Sequence, residues 1–591
     1  CRRDRALCGR VRAYLDRVER GGLSQLDAEL ALSHLKKSAD PVPTLPNRHG
    51  LALDGKGQVS ATSVVQPAEH LLASAGAVID QDNRKPTGTY LSAGWDWLQV
   101  DAGWRDHWLS PFTDGSALIG TEAPTMPSLS FSSWWPLTRF GFSYEAFVAE
   151  MSKSNDIRID GKQYAGRPKL TGLQVALSPF EGWSFAVNRM EQFGGGPKGT
   201  SLRDVIRAML NPHANDNAST GSGLVGGDVG NQLASVTSRM LFPGRIPFAA
   251  YAEYAGEDTS HASNYRFGNA SLAIGLDFPL LPGGYDATVE VTDWQNGWYV
   301  HHIYTDGLVS DGRVVGNWFG DWRQPKDAVF GHEAMLRVGR SIEGGRYAAL
   351  RYRNLMDAGY TGGDYHRAQD LSLEYSMPWR DLRLGLSLEA GRDPFGASFA
   401  RLAASAGYAG APAAPPETLD ETEDDTADQG GGYDVFEDVG VSRSSLRFES
   451  SDQVPDASTR SLKSVHWGFG ARRPVSEHQD LGVRIELERP DHHTLVAVRA
   501  LDYRYRYGKH LAASAFLGAA RYDTGLAAYG WYLGAGIQWR DLLPYIDVGL
   551  DWRYADRLAR DSLVAGDPPT TRRPDLFYTL KGPALVVSYR Y

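Results

Sequence analysis

From about residue 89 onward, apolar and polar positions alternate with a period of two. Leu371, Leu373, Tyr375 and Met377 alternate with Ser372, Glu374 and Ser376. Leu382, Leu384, Leu386 and Leu388 alternate with Arg383, Gly385, Ser387 and Glu389. The same rhythm covers 98–105, 288–292, 483–488, 501–507, 531–540 and 546–554. Successive side chains of a strand point to opposite faces, so each stretch is expected to be a two-faced strand. The last strand, with Leu585, Val587, Tyr589 and Tyr591 on one face, follows the same rule and ends on a ring.

A soluble antiparallel sheet also alternates. Two details favour a membrane barrel. The apolar faces carry rings at their ends, as with Trp531 and Trp539 on one strand and Tyr545 and Tyr554 flanking another. The opposite faces carry Arg, Asp and Glu together, which suits a lumen rather than a hydrocarbon surface. The fold class expected is therefore all-β, a transmembrane antiparallel β-barrel.

Ahead of the strands the spacing changes. Val11, Leu15 and Val18 share a helical face, and Leu26, Leu30 and Leu35 give a second stripe behind a Ser24–Asp27 cap. A short helical patch is expected around 68–75. Residues 1–88 are thus expected to form a small N-terminal helical periplasmic segment and linker, and 89–591 the barrel. Long loops are expected at 194–230, 257–268, 392–433 and 556–575. The first contains a helix capped by Ser201 and Asp204. Residues 411–433 are an acidic run, from Glu417 to Asp428, expected to be solvated.

Composition narrows the class. The 591 residues are 42% hydrophobic and 22% charged, which excludes disorder for most of the length. No stretch approaches eighteen uncharged apolar residues, so a spanning chain must span with strands. The 16 Trp and 28 Tyr suit membrane interfaces, and the 65 Gly and 31 Pro suit many turns. A net charge of −10 argues against a nucleic-acid partner. Cys1 and Cys8 leave three readings open: lipid attachment at Cys1, a Cys1–Cys8 disulfide, or a chance boundary.

Signs of chemistry are sparse. Gly194–Ser201 lacks the Gly-Lys-Ser/Thr order of a phosphate loop. His301 and His302 are adjacent, so in a strand they would face opposite ways and share no metal. Glu257, Asp258 and Asp293 are acidic residues near strand ends, but a glycosidase pair needs a separation that sequence does not fix. No metal, cofactor or catalytic residue is expected.

Several motifs in order resemble the Wzi capsule-assembly family of outer-membrane proteins. Trp108-Leu109-Ser110-Pro111-Phe112 is followed by Ile119-Gly120-Thr121-Glu122-Ala123-Pro124. Gly230-Asn231-Gln232, Tyr251–Asp258, Glu290–Asp293 and His302-Ile303-Tyr304-Thr305-Asp306-Gly307 come next. The chain departs from the family pattern at Leu109-Ser110-Pro111 and Glu122-Ala123, and the strands after 433 resemble it less. The resemblance implies a plugged barrel of about 18 strands in the bacterial outer membrane. It implies a monomer bounded by outer-membrane lipid. It also implies that the chain, without being an enzyme, binds capsular or extracellular polysaccharide and helps attach or assemble it at the cell surface. Trp294, Trp298, Tyr299, Trp318 and Trp322, with Glu257 and Asp258, are the expected sugar-binding residues, because sugar rings stack on aromatic faces. Interfacial placement of those rings is the competing expectation. A porin-like channel and a polysaccharide-modifying enzyme are the rival functions.

Overall fold

The computed structural model describes residues 24–38, 57–80, 84–197 (except 134 and 160), 201, 203, 206, 229–260, 263–358 (except 325, 326 and 328), 365–409, 432–450, 458–560 and 575–591. Cys1, Cys8, the 9–23 stretch and nearly all of the acidic run lie outside these residues. So does most of the expected 201–210 helix, of which Arg203 and Ile206 are helical.

The wall begins with β1 (Ser24–Lys37), β2 (Gly57–Ala68), β3 (Leu71–Ile79), β4 (Arg84–Lys85), β5 (Tyr90–Trp95) and β6 (Leu98–Trp104). It continues with β7 (Pro127–Ser132) and β8 (Ser143–Glu150). A side hairpin, β9 (Ser154–Ile159) and β10 (Lys162–Gly166), precedes β11 (Lys169–Phe180) and β12 (Trp183–Phe193). Then come β13 (Val229–Phe242), β14 (Phe248–Ser260), β15 (Ser263–Leu281) and β16 (Tyr285–Trp294). A short ladder, β17 (Val309–Ser310) and β18 (Arg313–Val314), interrupts the wall. It resumes with β19 (Phe330–Ile342), β20 (Arg346–Ala358), β21 (Ala368–Trp379), β22 (Leu382–Arg392) and β23 (Ser398–Ala409).

β23 pairs back onto β1, from Asp27↔Ala409 to Lys37↔Phe399, and closes the cylinder. This sheet has 19 strands, but β4 and β5 pair with opposite ends of β3, so the wall has 18 positions. The barrel of about 18 strands is as expected. The helices expected over 24–37 and 68–75 are not: the first segment is wall strand β1, and the second is the turn at Glu69-His70 with the adjoining ends of β2 and β3. Leu26, Leu30 and Leu32 are exposed on the outer face of β1 at even spacing. The period-two reading was present in the same leucines, and pairing with β2 and β23 selects it.

A second, separate cylinder follows. It comprises β24 (Asp434–Ser450), β25 (Ser458–Pro474), β26 (Gln479–Glu488), β27 (Thr494–Tyr507), β28 (Leu511–Asp523), β29 (Ala527–Leu543), β30 (Ile546–Arg560) and β31 (Leu576–Arg590). It is a closed barrel in which β24 pairs with β31. The sheets therefore divide between 409 and 434, not at 88/89, and the strands after 433 are a barrel of their own rather than more wall.

Both cylinders wear their apolar side outward. Leu371, Leu373, Leu386 and Leu388 are each about half exposed, as are Leu550, Trp552, Leu585 and Val587. Asp370, Glu389, Asp551 and Arg553, one residue away, are buried inside. An outward apolar band around a charged interior is the arrangement a bilayer requires. Trp97, Trp379, Tyr285, Tyr507, Tyr545 and Tyr591 stand exposed beside the short turns and form the interfacial ring.

Each barrel has a short-turn end and a long-loop end. At the short-turn end β15 and β16 are joined through Pro282-Gly283-Gly284, where both glycines have positive φ (83° and 75°) that a side chain would resist. At the other end β14 and β15 run on to Ser260 and from Ser263, through much of the stretch expected to be loop. Ala409 and Asp434 both lie at short-turn ends. The chain therefore leaves the large barrel and enters the small one at short-turn ends; the acidic run between them, expected as a long extracellular loop, lies outside the described residues.

The barrels lie side by side in the same sense. At the short-turn end the Tyr433 hydroxyl donates to the Ile246 carbonyl (2.7 Å) and the Arg473 guanidinium donates to the Glu181 carbonyl. At the long-loop end Arg266 forks onto Asp556 (2.8 and 3.1 Å) and Arg521 meets Asp293 (2.6 Å). Tyr254, Phe267, Tyr529 and the partly buried Trp531 pack between the walls there.

The small barrel's interior is filled. Arg472, Arg484, Arg499, Arg504 and Arg553 interleave with Asp438, Asp480, Glu486, Glu488, Asp502, Asp547 and Asp551, all buried. Eight strands leave an interior only wide enough for side chains, and these side chains occupy it.

Candidate functional site

Two segments leave the long-loop end of the large barrel and fold back into its lumen: 105–126, between β6 and β7, and 295–329, between β16 and β19. Carboxylates on the inner wall hold them. Glu290 accepts from the Thr113 and Asp114 backbone N–H groups (2.7 and 3.0 Å) and from the Tyr251 hydroxyl (2.8 Å). Glu253 accepts from the Ser110 hydroxyl (2.8 Å), Glu257 from the Tyr299 N–H (3.0 Å) and Glu333 from the Asn317 amide (2.9 Å). Arg353, fully buried, lies 3.3 Å from Asp370 and over the Trp318 ring. Carboxylates that accept backbone N–H groups are strong, directional anchors.

The segments also pin each other. The Tyr299 hydroxyl donates to the Ala117 carbonyl (2.7 Å) and accepts from the Asn317 N–H (2.9 Å). Trp294 donates to the Val329 carbonyl (3.1 Å) and stacks on Phe319 with centroids 3.8 Å apart. Trp294, Trp298, Tyr299, Trp318, Phe319 and Trp322 form one cluster with Phe147, Leu170, Met190, Leu233, Leu355 and Phe399. Those last six come from β8, β11, β12, β13, β20 and β23, so the cluster reaches around the cylinder. It is a plug.

This corrects the stacking surface expected from sequence. Trp294, Trp298, Tyr299, Trp318 and Trp322 are all 3% exposed or less, and a ring with no open face cannot stack on a sugar. They are not interfacial either. Glu257 anchors the plug, and the Asp258 side chain lies outside the described residues. Among the motif residues, Trp108 donates to the Phe112 carbonyl (3.1 Å) inside the first plug segment, which also carries Pro111, Glu122 and the buried Pro124. Asn231 is buried on β13, Asp293 pairs with Arg521, and the buried Tyr304 donates to the Gly194 carbonyl (2.8 Å).

Over the plug sits a recess that sequence reasoning passed by. β9 lies across the plug segment as if adding a strand. Arg158 N–H donates to the Ile303 carbonyl (2.7 Å), and Thr305 donates to the Asp156 carbonyl from both its N–H (3.2 Å) and its hydroxyl (2.7 Å). Ile157, Ile159, Ile303 and Tyr304 form an apolar floor. Arg158, Val300, His301, His302 and Thr305 line a cavity of about 320 Å³. That is within the range of small-ligand pockets. The Arg158 side chain and His302 are exposed, and the two imidazole rings lie 4.3 Å apart. An adjacent His pair gave no such signal because 300–305 is not a strand: the turn at Tyr299 (φ 62°) and Gly307 lets both rings face one hollow.

The recess has its own acid sensitivity. Burial, aided by His302, pushes the His301 imidazole down to about 3 from its ordinary 6.5. The unfolded chain therefore takes up the proton first, so stability is full above pH 6.5 and is lost as pH falls toward 3. The slope is at most about 1.4 kcal/mol per pH unit. The thermal midpoint of the plug should drop between about pH 7 and pH 4.5, and His301→Gln should flatten that slope.

Comparison with known proteins matches this part of the chain. A family profile described as capsule assembly protein Wzi matches residues 47–391. Among solved structures, the Escherichia coli outer-membrane protein Wzi, described as a carbohydrate-binding β-barrel involved in group 1 capsule assembly, shares the fold. It is 17% identical, with a TM-score of 0.52, covering 69% of this chain and 88% of that one. Pseudomonas aeruginosa OpdL (13% identity, TM-score 0.36, 65% and 98% covered) and Acinetobacter baumannii OccAB4 (9%, 0.37, 65% and 97%) also align. No curated protein matches the sequence.

Proposed function

The chain belongs to the capsule assembly protein Wzi family, and from that membership we propose that it sits in a bacterial outer membrane and holds a capsular or extracellular polysaccharide at the cell surface through the recess over its plug. The observation that carries this reading is the placement of Arg158, His302 and Thr305 together at the long-loop end, above a lumen that is already filled. Short turns face the periplasm and long loops the exterior in barrels of this kind, so the recess opens toward the capsule. An arginine fork suits the carboxylate of an acidic sugar, and the hydroxyl and imidazole groups suit its ring oxygens. A long polymer gains avidity by repeating one weak contact.

Binding rather than cleavage fits the carboxylates. Glu290 and Glu257 accept backbone N–H groups, Glu253 the Ser110 hydroxyl and Glu333 the Asn317 side-chain amide, so all four are engaged in holding the plug. One chain suffices for the site, and the small barrel covers part of the wall against outer-membrane lipid.

The test is retention. A strain lacking the protein should shed polysaccharide into the medium, and the wild-type chain should restore attachment. Arg158→Ala combined with His302→Ala should bind purified polysaccharide about tenfold or more weakly, the loss of one charge-assisted contact being roughly 1.5 kcal/mol. Undiminished attachment by the double variant would defeat the proposal.

A further inference from the structure

The two barrels do not meet evenly. At the long-loop end Tyr254, Phe267, Tyr529 and Trp531 close the junction, with the Arg266–Asp556 and Arg521–Asp293 pairs beside them. Midway, the Ser238 hydroxyl reaches the Ala500 carbonyl (3.1 Å). From there to the short-turn end Met240, Phe242 and Ala250 stay packed against Ala471 and Leu481, and the walls part only to one side of that contact. Phe248, Leu276 and Val291 on one side face Phe469, Ile485 and Ala500 on the other across a groove of about 380 Å³. A smaller groove, about 250 Å³, adjoins it and shares Ser238, Ala252, Val498 and Ala500.

The geometry points to hydrocarbon as the occupant: we propose that this groove is a binding site for the acyl chains of one phospholipid from the periplasmic leaflet. Three features select that chemistry. Both walls are outward faces of membrane cylinders, and they run without a break into open lipid-facing surface: Leu276 and Val291 are 39% and 40% exposed, and Phe469 is 47% exposed. The groove therefore opens sideways into the bilayer, not upward into water. Its lining is almost wholly apolar, so water would lack the two to four polar partners that make a buried site hospitable. An empty gap of this size would forfeit dispersion contacts on both walls.

The leaflet follows from position. The groove lies in the half nearest the short turns, with Tyr433 and Ile246 at its outer edge, and the long-loop half is closed. Arg245 stands exposed in the same 243–247 turn. An arginine beside an acyl groove is suited to a lipid phosphate, which it can grip with a bidentate fork. The lipid would act as mortar, filling the space that two convex cylinders leave when they touch along a line. This inference does not depend on the polysaccharide reading, because it concerns the opposite leaflet and a different set of residues.

Native mass spectrometry on the full chain, extracted from outer membranes in mild detergent, tests it. One retained glycerophospholipid per chain is expected. Val291→Trp with Ile485→Trp fills the groove from two outward positions and should lower retained phospholipid at least tenfold. Leu350→Trp, on the open wall away from the junction, should leave it unchanged. Heat-modifiable gel migration reports whether each barrel is folded. Should the double variant fail to fold, Val291→Trp alone gives the same comparison. A wild-type chain that carries no lipid, only adventitious detergent, or a lipopolysaccharide overturns the proposal. So does equal phospholipid retention by the filled variant.

Discussion

Replacing residues 296–329 by a short glycine-rich turn is expected to convert a silent barrel into a conducting one. Trp294 and Gly331 are already cross-strand partners on β16 and β19, so the replacement can close a hairpin without cutting the wall. It removes Trp298, Tyr299, Trp318, Phe319 and Trp322 from the lumen. The other plug segment loses the Tyr299 hydroxyl that holds the Ala117 carbonyl, and Glu333 on the wall loses its Asn317 partner. A cylinder of 16 to 18 strands without a plug holds an aqueous channel. In planar bilayers the wild-type chain should give no steady current, and the shortened chain should give large, open-channel steps. Large currents from the wild-type chain would remove the plugged-barrel reading and restore the porin-like alternative. Single substitutions such as Trp318→Ala should act more weakly, since the remaining rings still fill the lumen.

Arg499→Leu is expected to destabilise the small barrel by about 3–5 kcal/mol. Arg499 is fully buried, 2.6 Å from Glu486 and 2.9 Å from Asp551, with its guanidinium over the Phe516 ring. Removing it leaves Glu486, Asp502 and Asp551 crowded in a site that water does not reach. Breaking one side of a buried ion network costs far more than the network itself contributes, because the orphaned charges stay desolvated. Urea unfolding followed by gel migration should show the shift. Arg460→Leu is the comparison: that side chain is 67% exposed, 3.5 Å from Asp491, and should move stability by no more than about 0.5 kcal/mol. If the two variants unfold alike, the interior is hydrated and not a dry ion lattice.

Much of the wall was legible from alternation alone. Leu371 to Met377, Leu382 to Ala390, Ile546 to Tyr554 and Leu585 to Tyr589 each fall within a strand. Their apolar members face outward and their charged members inward, because a thin wall with hydrocarbon on one side and a filled lumen on the other imposes a period of two on every segment. Segment β1 was harder. Leu26, Leu30 and Leu35 fit a helix as well as Leu26, Leu30 and Leu32 fit a strand, and only the ladders to β2 and β23 choose between them.

The chain's own pattern determined that it would make strands from about residue 89 onward and which face of each would be apolar. The tertiary structure alone decided that the strands close twice, at Ala409 and again at Arg590, and that the aromatic segment after Trp294 turns into the lumen rather than out to the interface. Alternation records the solvent on each side of a residue and is written locally. Closure and plugging join residues hundreds of positions apart, through hydrogen-bond ladders and carboxylate anchors whose partners no local period specifies.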